Sequence, residues 1–188
     1  MQLTHLSPLV LVVISFLPLT LTLATPTCIV PLPLFFSLPY SFTLQVQNST
    51  HPSIHNHHVN FIPQGTPGDY RTVISPLGTP HNLNLTDFHL TFAGAGFTAY
   101  LRAPIKTVYR QVSFVNSPGD ALEVMAKYGC DDRGRQQVEV TPYVNEGKGL
   151  GFCVAKNFFT GEMGLYVKPR EENVPACVEV KIAVKRTK

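Results

Sequence analysis

The sequence of 188 residues contains no tryptophan. The side chain most often laid flat against a sugar ring is therefore missing, and any carbohydrate contact falls to tyrosine or to polar groups. No stretch repeats apolar residues at i, i+3, i+4 and i+7 over three turns, so helices are not expected as the main element. No two cysteines show C-x2-C or related spacing, which argues against a zinc site. There is no G-x-S-x-G and no G-x-x-x-x-G-K-[ST], and "GKGLG" from Gly147 is only a glycine-rich turn. No catalytic residue, metal or cofactor is expected. Bases are not clustered either. Beyond residue 24 and before Leu101 stand one base and two acids; from Leu101 onward stand 14 bases and 10 acids, with both signs mixed along the strands. That is a solvated surface, and no nucleic-acid partner is expected.

What is present begins with an apolar run, Leu9 to Ala24, that carries no charge. Its 16 residues fall short of the roughly 20 a membrane-spanning helix needs. Pro18 interrupts it and small or neutral residues close it, as in a secretory signal peptide over residues 1–24, although no Lys or Arg precedes the run. The expectation is a secreted or cell-wall location with no membrane association after cleavage. Four cysteines follow: Cys28, Cys130, Cys153 and Cys177. An even count in an exported chain implies two disulfides, with three possible connectivities. Because chain termini often lie close together, Cys28–Cys177 with Cys130–Cys153 is the expected pairing. Two N-x-[ST] sequons, at Asn48 and Asn84, are expected glycosylation sites in solvent-facing loops.

Residues 25–39 form a proline-rich lead-in, read as extended, that tucks Leu34 and Phe35 against the body. Residues 40–188 then form a single domain in which period-2 alternation dominates. Phe42, Leu44 and Val46 alternate with polar residues. So do Leu122, Val124, Ala126 and Tyr128, then Val138 and Val140, then Val178, Val180, Ile182 and Val184. Further strands are expected at Val59–Ile62, Arg71–Ile74, Phe88–Phe92, Phe97–Arg102, Val108–Val115, Gly151–Ala155 and Gly164–Lys168. Turns rich in Gly, Pro, Asn and Asp separate them. The expected fold is all-β: an antiparallel sandwich or barrel of about ten strands with two disulfides. A β-trefoil is the alternative, though no threefold repeat is visible.

The densest polar chemistry is "MAKYGCDDRGRQQVEV", Met125 to Val140. It reads as strand, turn and strand. Asp131 and Asp132 open the turn as backbone hydrogen-bond acceptors, and Gly134 supplies a positive φ. A catalytic carboxylate pair would need two acids flanking a cleft, one of them held protonated. Two adjacent aspartates beside Arg133 and Arg135 lack that environment. Glu139 is placed on the polar side of its strand. A small polysaccharide hydrolase using Asp131, Asp132 and Glu139 remains the alternative to a binding role. The segment "HPSIHNHH", with His51, His55, His57 and His58, reads as a solvated loop. Tyr100, Tyr109, Tyr143 and Tyr166 are the candidate ligand contacts.

The last third, "YGCDDRGRQQVEV…GFCVAKNFFTGEMGLYVKP…ACVEVKIAV", is similar to the C-terminal four-cysteine β-domain of fungal Pir-type cell-wall proteins, and to small secreted fungal proteins of the same layout. The resemblance covers about Phe88 to Val184. It implies an extracytoplasmic, β-rich and non-enzymatic protein. The chain lacks the glutamine-rich repeats of that family and a dibasic site ahead of the domain, so attachment to glucan by that route is not implied. Residues and resemblance together lead to a secreted, non-catalytic binding or structural protein. Its expected partners are a cell-wall polysaccharide or a host surface.

Overall fold

The computed structural model describes residues 28–65, 68–94, 97–102, 110–115, 121–143 and 149–187. The expected signal peptide lies outside them, as does Tyr109. The described residues form fifteen strands and no helix: β1 (Leu34–Phe35), β2 (Phe42–Gln47), β3 (His58–Pro63), β4 (Tyr70–Ser75), β5 (Asn84–Thr86), β6 (His89–Gly94), β7 (Phe97–Arg102), β8 (Arg110–Gln111), β9 (Ser113–Val115), β10 (Val124–Cys130), β11 (Gln136–Pro142), β12 (Leu150–Lys156), β13 (Met163–Pro169), β14 (Val178–Glu179) and β15 (Lys181–Arg186). All pairings are antiparallel. A large sheet has the order β1-β10-β11-β15-β2-β3-β4-β9-β7-β6-β5, and a small sheet the order β14-β12-β13-β8. This is the sandwich-or-barrel architecture the alternation requires, not a trefoil.

The large sheet curls until its ends meet. Val124 N–H donates to Phe88 O and Phe88 N–H to Phe36 O, and His89 bridges Glu123. Closure falls on the β5–β6 hairpin, whose two turn residues, Asp87 and Phe88, both have positive φ (45° and 68°). A bulky residue there is strained. The strain is offset by stacking of Phe88 on Phe36 and its tilted contact with Tyr143, with centroids 4.3 and 4.7 Å apart, and by the two backbone bonds above. Inside the curl, Phe61, Phe92 and Phe114 contact one another at 4.6–5.5 Å. The His81 ring lies against Phe61 and Phe92, and burial lowers its pKa, favouring the neutral imidazole.

Two bends stitch the sheets together. The segment expected as one strand, Val108–Val115, breaks at buried Val112: β8 pairs with β13 in the small sheet, β9 with β4 and β7 in the large one. Thr72, fully buried on β4, fixes this corner by donating its hydroxyl to Val112 O at 2.7 Å and accepting from Leu165 N–H at 3.2 Å. The closing alternation breaks likewise at Val180, whose N–H donates to Phe152 O; β14 stays in the small sheet and β15 enters the large one. Strands that change sheets through such bends are how packed sheets make corners.

Two disulfides are present, but not in the expected pairing: Cys28–Cys130 and Cys153–Cys177. The lead-in runs along β10, with Leu34 opposite Lys127, and this carries Cys28 to the end of that strand. Cys177 precedes β14, which pairs with β12 at Cys153. Sheet order therefore decides the bridges, not the proximity of the termini. In the lead-in Phe35 packs edge-on to Tyr128, while Leu34 stays about half exposed. The histidine segment is less solvated than expected, because Ile54 is buried in the core and Asn56 N–H bonds back to Val46 O.

Candidate functional site

Outward residues of β10, β11 and β15 should meet water if the large sheet stood alone. Neighbouring side chains cover part of that face: Glu139 and Thr141 are each only 6 % exposed, and Arg170, just after β13, bonds Thr141. Glu139 is on the polar side of its strand, as expected, but is buried there. Its carboxylate lies across the backbone of Gly129 on β10, where any Cβ would occupy the same space. It accepts from Gln137 Nε2 at 3.1 Å and faces Lys181 Nζ at 3.9 Å.

Around it a cleft of about 180 Å³ is lined by Lys127, Glu139, Thr141, Arg170, Glu179 and Lys181, among others. Arg170 is held by its bonds to Leu150 O (3.0 Å) and Thr141 Oγ1 (3.2 Å). A second cleft, about 270 Å³, shares Glu179, Val180 and Lys181 with the first and adds Gln47, Asn48, Ser49 and Asp132. A third, about 170 Å³, shares Gln47 and Asp132 with the second and adds His55, Asn56, Asp131, Arg133, Arg135 and Lys185. Shared walls make the three one polar groove. Each part is smaller than the roughly 300–1,000 Å³ of an enclosing small-molecule site.

The electrostatics along the groove are uneven. Asp131 Oδ1 accepts from the backbone N–H groups of Arg135 and Arg133, and its Oδ2 binds the Arg135 guanidinium. The bonds from Arg135 hold its pKa below the usual carboxylate value, so it cannot serve as a proton donor near neutrality. Asp132 faces His55 Nε2 at 3.4 Å. Because Asn48 N–H donates to Nδ1 of that ring at 3.1 Å, the proton of neutral His55 sits on Nε2 and points at Asp132. Glu179 faces Lys168 at 3.6 Å. Lys127, Arg133 and Lys185 pair with no acid among the described residues.

Asp131, Asp132 and Glu139 thus border one groove, at different points along it. Tyr143 and Tyr166 do not. Tyr166 is buried, which corrects its reading as a ligand contact, and Tyr143 is half-buried against Phe88 and Phe36. Tyr100 lies on β7, and Tyr109 is outside the described residues. Of the two sequons, Asn84 begins edge strand β5, rather than a loop, and is exposed. Asn48 is half-buried in the groove wall, its Nδ2 donating to Glu179 O at 2.7 Å. Sequence reasoning missed Arg170, Lys127, Glu179 and Lys181 as site residues. Alternation marks the last three as outward-pointing, but only the strand order brings them together.

A family model described as a domain of unknown function, DUF7909, matches residues 28–187. The chain belongs to the DUF7909 family. The match spans both disulfides and the whole polar groove of this DUF7909 domain. No curated protein and no solved structure matches it. No helix among the described residues is long and apolar enough to cross a membrane.

Proposed function

We propose that this DUF7909 domain is a secreted, non-catalytic binding protein whose groove holds an extended acidic polysaccharide. The observation that carries the reading is the set of three cations, Lys127, Arg133 and Lys185, that pair with no acid among the described residues and are spread along the polar groove. Glutamine, asparagine and threonine side chains between them offer donors and acceptors to hydroxyl groups. Spaced cations favour a polymer with repeated carboxylates over a neutral glucan. Export is supported by the leader pattern and by the two disulfides, and cell-wall association by the resemblance of the last third. The test is titration of the oxidised protein with a polyuronate and with a neutral β-glucan. Binding to the polyuronate should weaken with added salt and fall at least tenfold in the triple variant Lys127→Ala, Arg133→Ala, Lys185→Ala. Equal affinity for both polymers, or an unaffected variant, rules the reading out.

A polysaccharide hydrolase is the second reading, favoured by one observation: Glu139 and Glu179 line the same cleft. Against it, each carboxylate faces a lysine, Glu179 at 3.6 Å from Lys168 and Glu139 at 3.9 Å from Lys181. Release of reducing ends by the native protein but not by Glu139→Gln would establish the hydrolase and displace the binder.

A further inference from the structure

The turn between β12 and β13 carries Phe158 and Phe159, 94 % and 92 % exposed. Their rings meet edge to face with centroids 5.6 Å apart, forming one apolar knob. The knob is held rather than left loose. Asn157 Oδ1 accepts from Phe159 N–H and Thr160 N–H at 2.9 and 3.1 Å, and Asn157 Nδ2 donates to Gln111 at 2.9 Å. Gly161 N–H closes the turn on Asn157 O, and Arg71 binds both Thr160 and Glu162. The ordering cost of the two rings' backbone is therefore met before any partner arrives.

Turn geometry does not require these phenylalanines. The β10–β11 turn uses the same devices, an Asx side chain capping two N–H groups and a positive-φ glycine, with Asp132 and Arg133 in the middle. Neither is the knob part of the polar groove. It is convex and only two side chains wide, with polar Thr160, Gly161 and Glu162 beside it. A protein partner would need a preformed pocket and roughly 1,200 Å² of buried surface around the contact. A lipid interface needs neither, and it accepts aromatic side chains at headgroup level. Exposed Lys156, whose side chain passes close to Gly161, has no acidic partner among the described residues. Arg71 is matched by Glu162, so the tip keeps one unmatched positive charge beside the knob.

We propose that the β12–β13 tip docks on lipid membranes bearing anionic headgroups, with Phe158 and Phe159 inserted at the headgroup–acyl boundary and Lys156 among the phosphates. The contact is peripheral; no part of the domain spans the bilayer. It goes beyond the polysaccharide reading and does not depend on it.

The lack of tryptophan makes the test clean. In the full oxidised protein, Phe158→Trp installs a single reporter at the knob, and Arg133→Trp installs one at the charged turn. Phosphatidylcholine vesicles containing phosphatidylserine should shift the emission of F158W to the blue and leave R133W unmoved. The change Phe159→Ser in the F158W background should weaken vesicle binding at least tenfold, and Lys156→Ala should weaken it only where phosphatidylserine is present. No shift with either vesicle composition overturns the proposal, as does an equal shift in R133W. Equal shifts with and without phosphatidylserine overturn the anionic preference. A blue shift that grows with protein concentration in the absence of lipid identifies a second copy of the chain as the occupant instead.

Discussion

The two longest hairpins, β10–β11 and β12–β13, are built alike and present opposite surfaces. Both have seven-residue strands, and both turns pair an Asx cap with a glycine near φ 70°. In the first, Asp131 collects two N–H groups and the Arg135 guanidinium, and the turn is saturated with charge. In the second, neutral Asn157 does the same backbone work, and two phenylalanines are left bare to solvent. Cap and glycine fix a turn's shape, so the residues between them are free to carry surface chemistry. Each hairpin is also anchored by one disulfide.

Those anchors differ most. Cys28–Cys130 closes a loop of sequence separation 102, Cys153–Cys177 one of 24. The chain-entropy model assigns about 4.7 kcal/mol to a loop near the first size and about 3.5 kcal/mol to one near the second. The double serine variant of Cys28 and Cys130 should therefore lose more stability than that of Cys153 and Cys177 in urea unfolding. The reverse order would show that local packing, not loop length, sets the difference. Next come the glycines. Gly134→Ala and Gly161→Ala each force an L-residue into the left-handed region and should each cost about 1 kcal/mol. A large inequality between them would break the likeness of the turns.

The smallest effect is the sharpest. Asp131 has a folded-state pKa below its unfolded value, so its ionised form favours the fold. That contribution is present above the unfolded value and disappears as the pH falls through the folded one. Asn157 does not titrate. Acidification below the ordinary carboxylate range should speed amide exchange at Arg133 and Arg135 while leaving Phe159 and Thr160 comparatively protected. Parallel loss in both turns would mean that acid acts on the whole domain.

Much of the fold could be read from alternation alone. Phe97–Arg102 matches β7, and the charged stretch at Asp131 is the expected strand, turn and strand. The failures share a cause. Alternation records which side of its own strand a residue faces, and nothing of what covers that side. Glu139 alternates like a surface residue, yet it is only 6 % exposed, folded over Gly129 and flanked by Gln137 and Lys181. Val178, Val180, Ile182 and Val184 keep period two straight through a bend that exchanges one sheet for the other, so no break is visible. The groove is hidden for the same reason: Lys127 and Lys181 become neighbours only through the order β10-β11-β15. The cysteine pairing depends on that order too.

β15 lies in the interior of the large sheet, between β11 and β2, and Thr43 bonds Lys185 across 142 positions. As the polypeptide emerges during synthesis, β2 and β11 each present an open edge that no earlier segment can occupy. Such edges invite pairing with other chains. Closure must wait until residue 186 is made, so a chain stalled or clipped before β14 would aggregate rather than fold, and protection by a chaperone is most needed just before translation reaches that point.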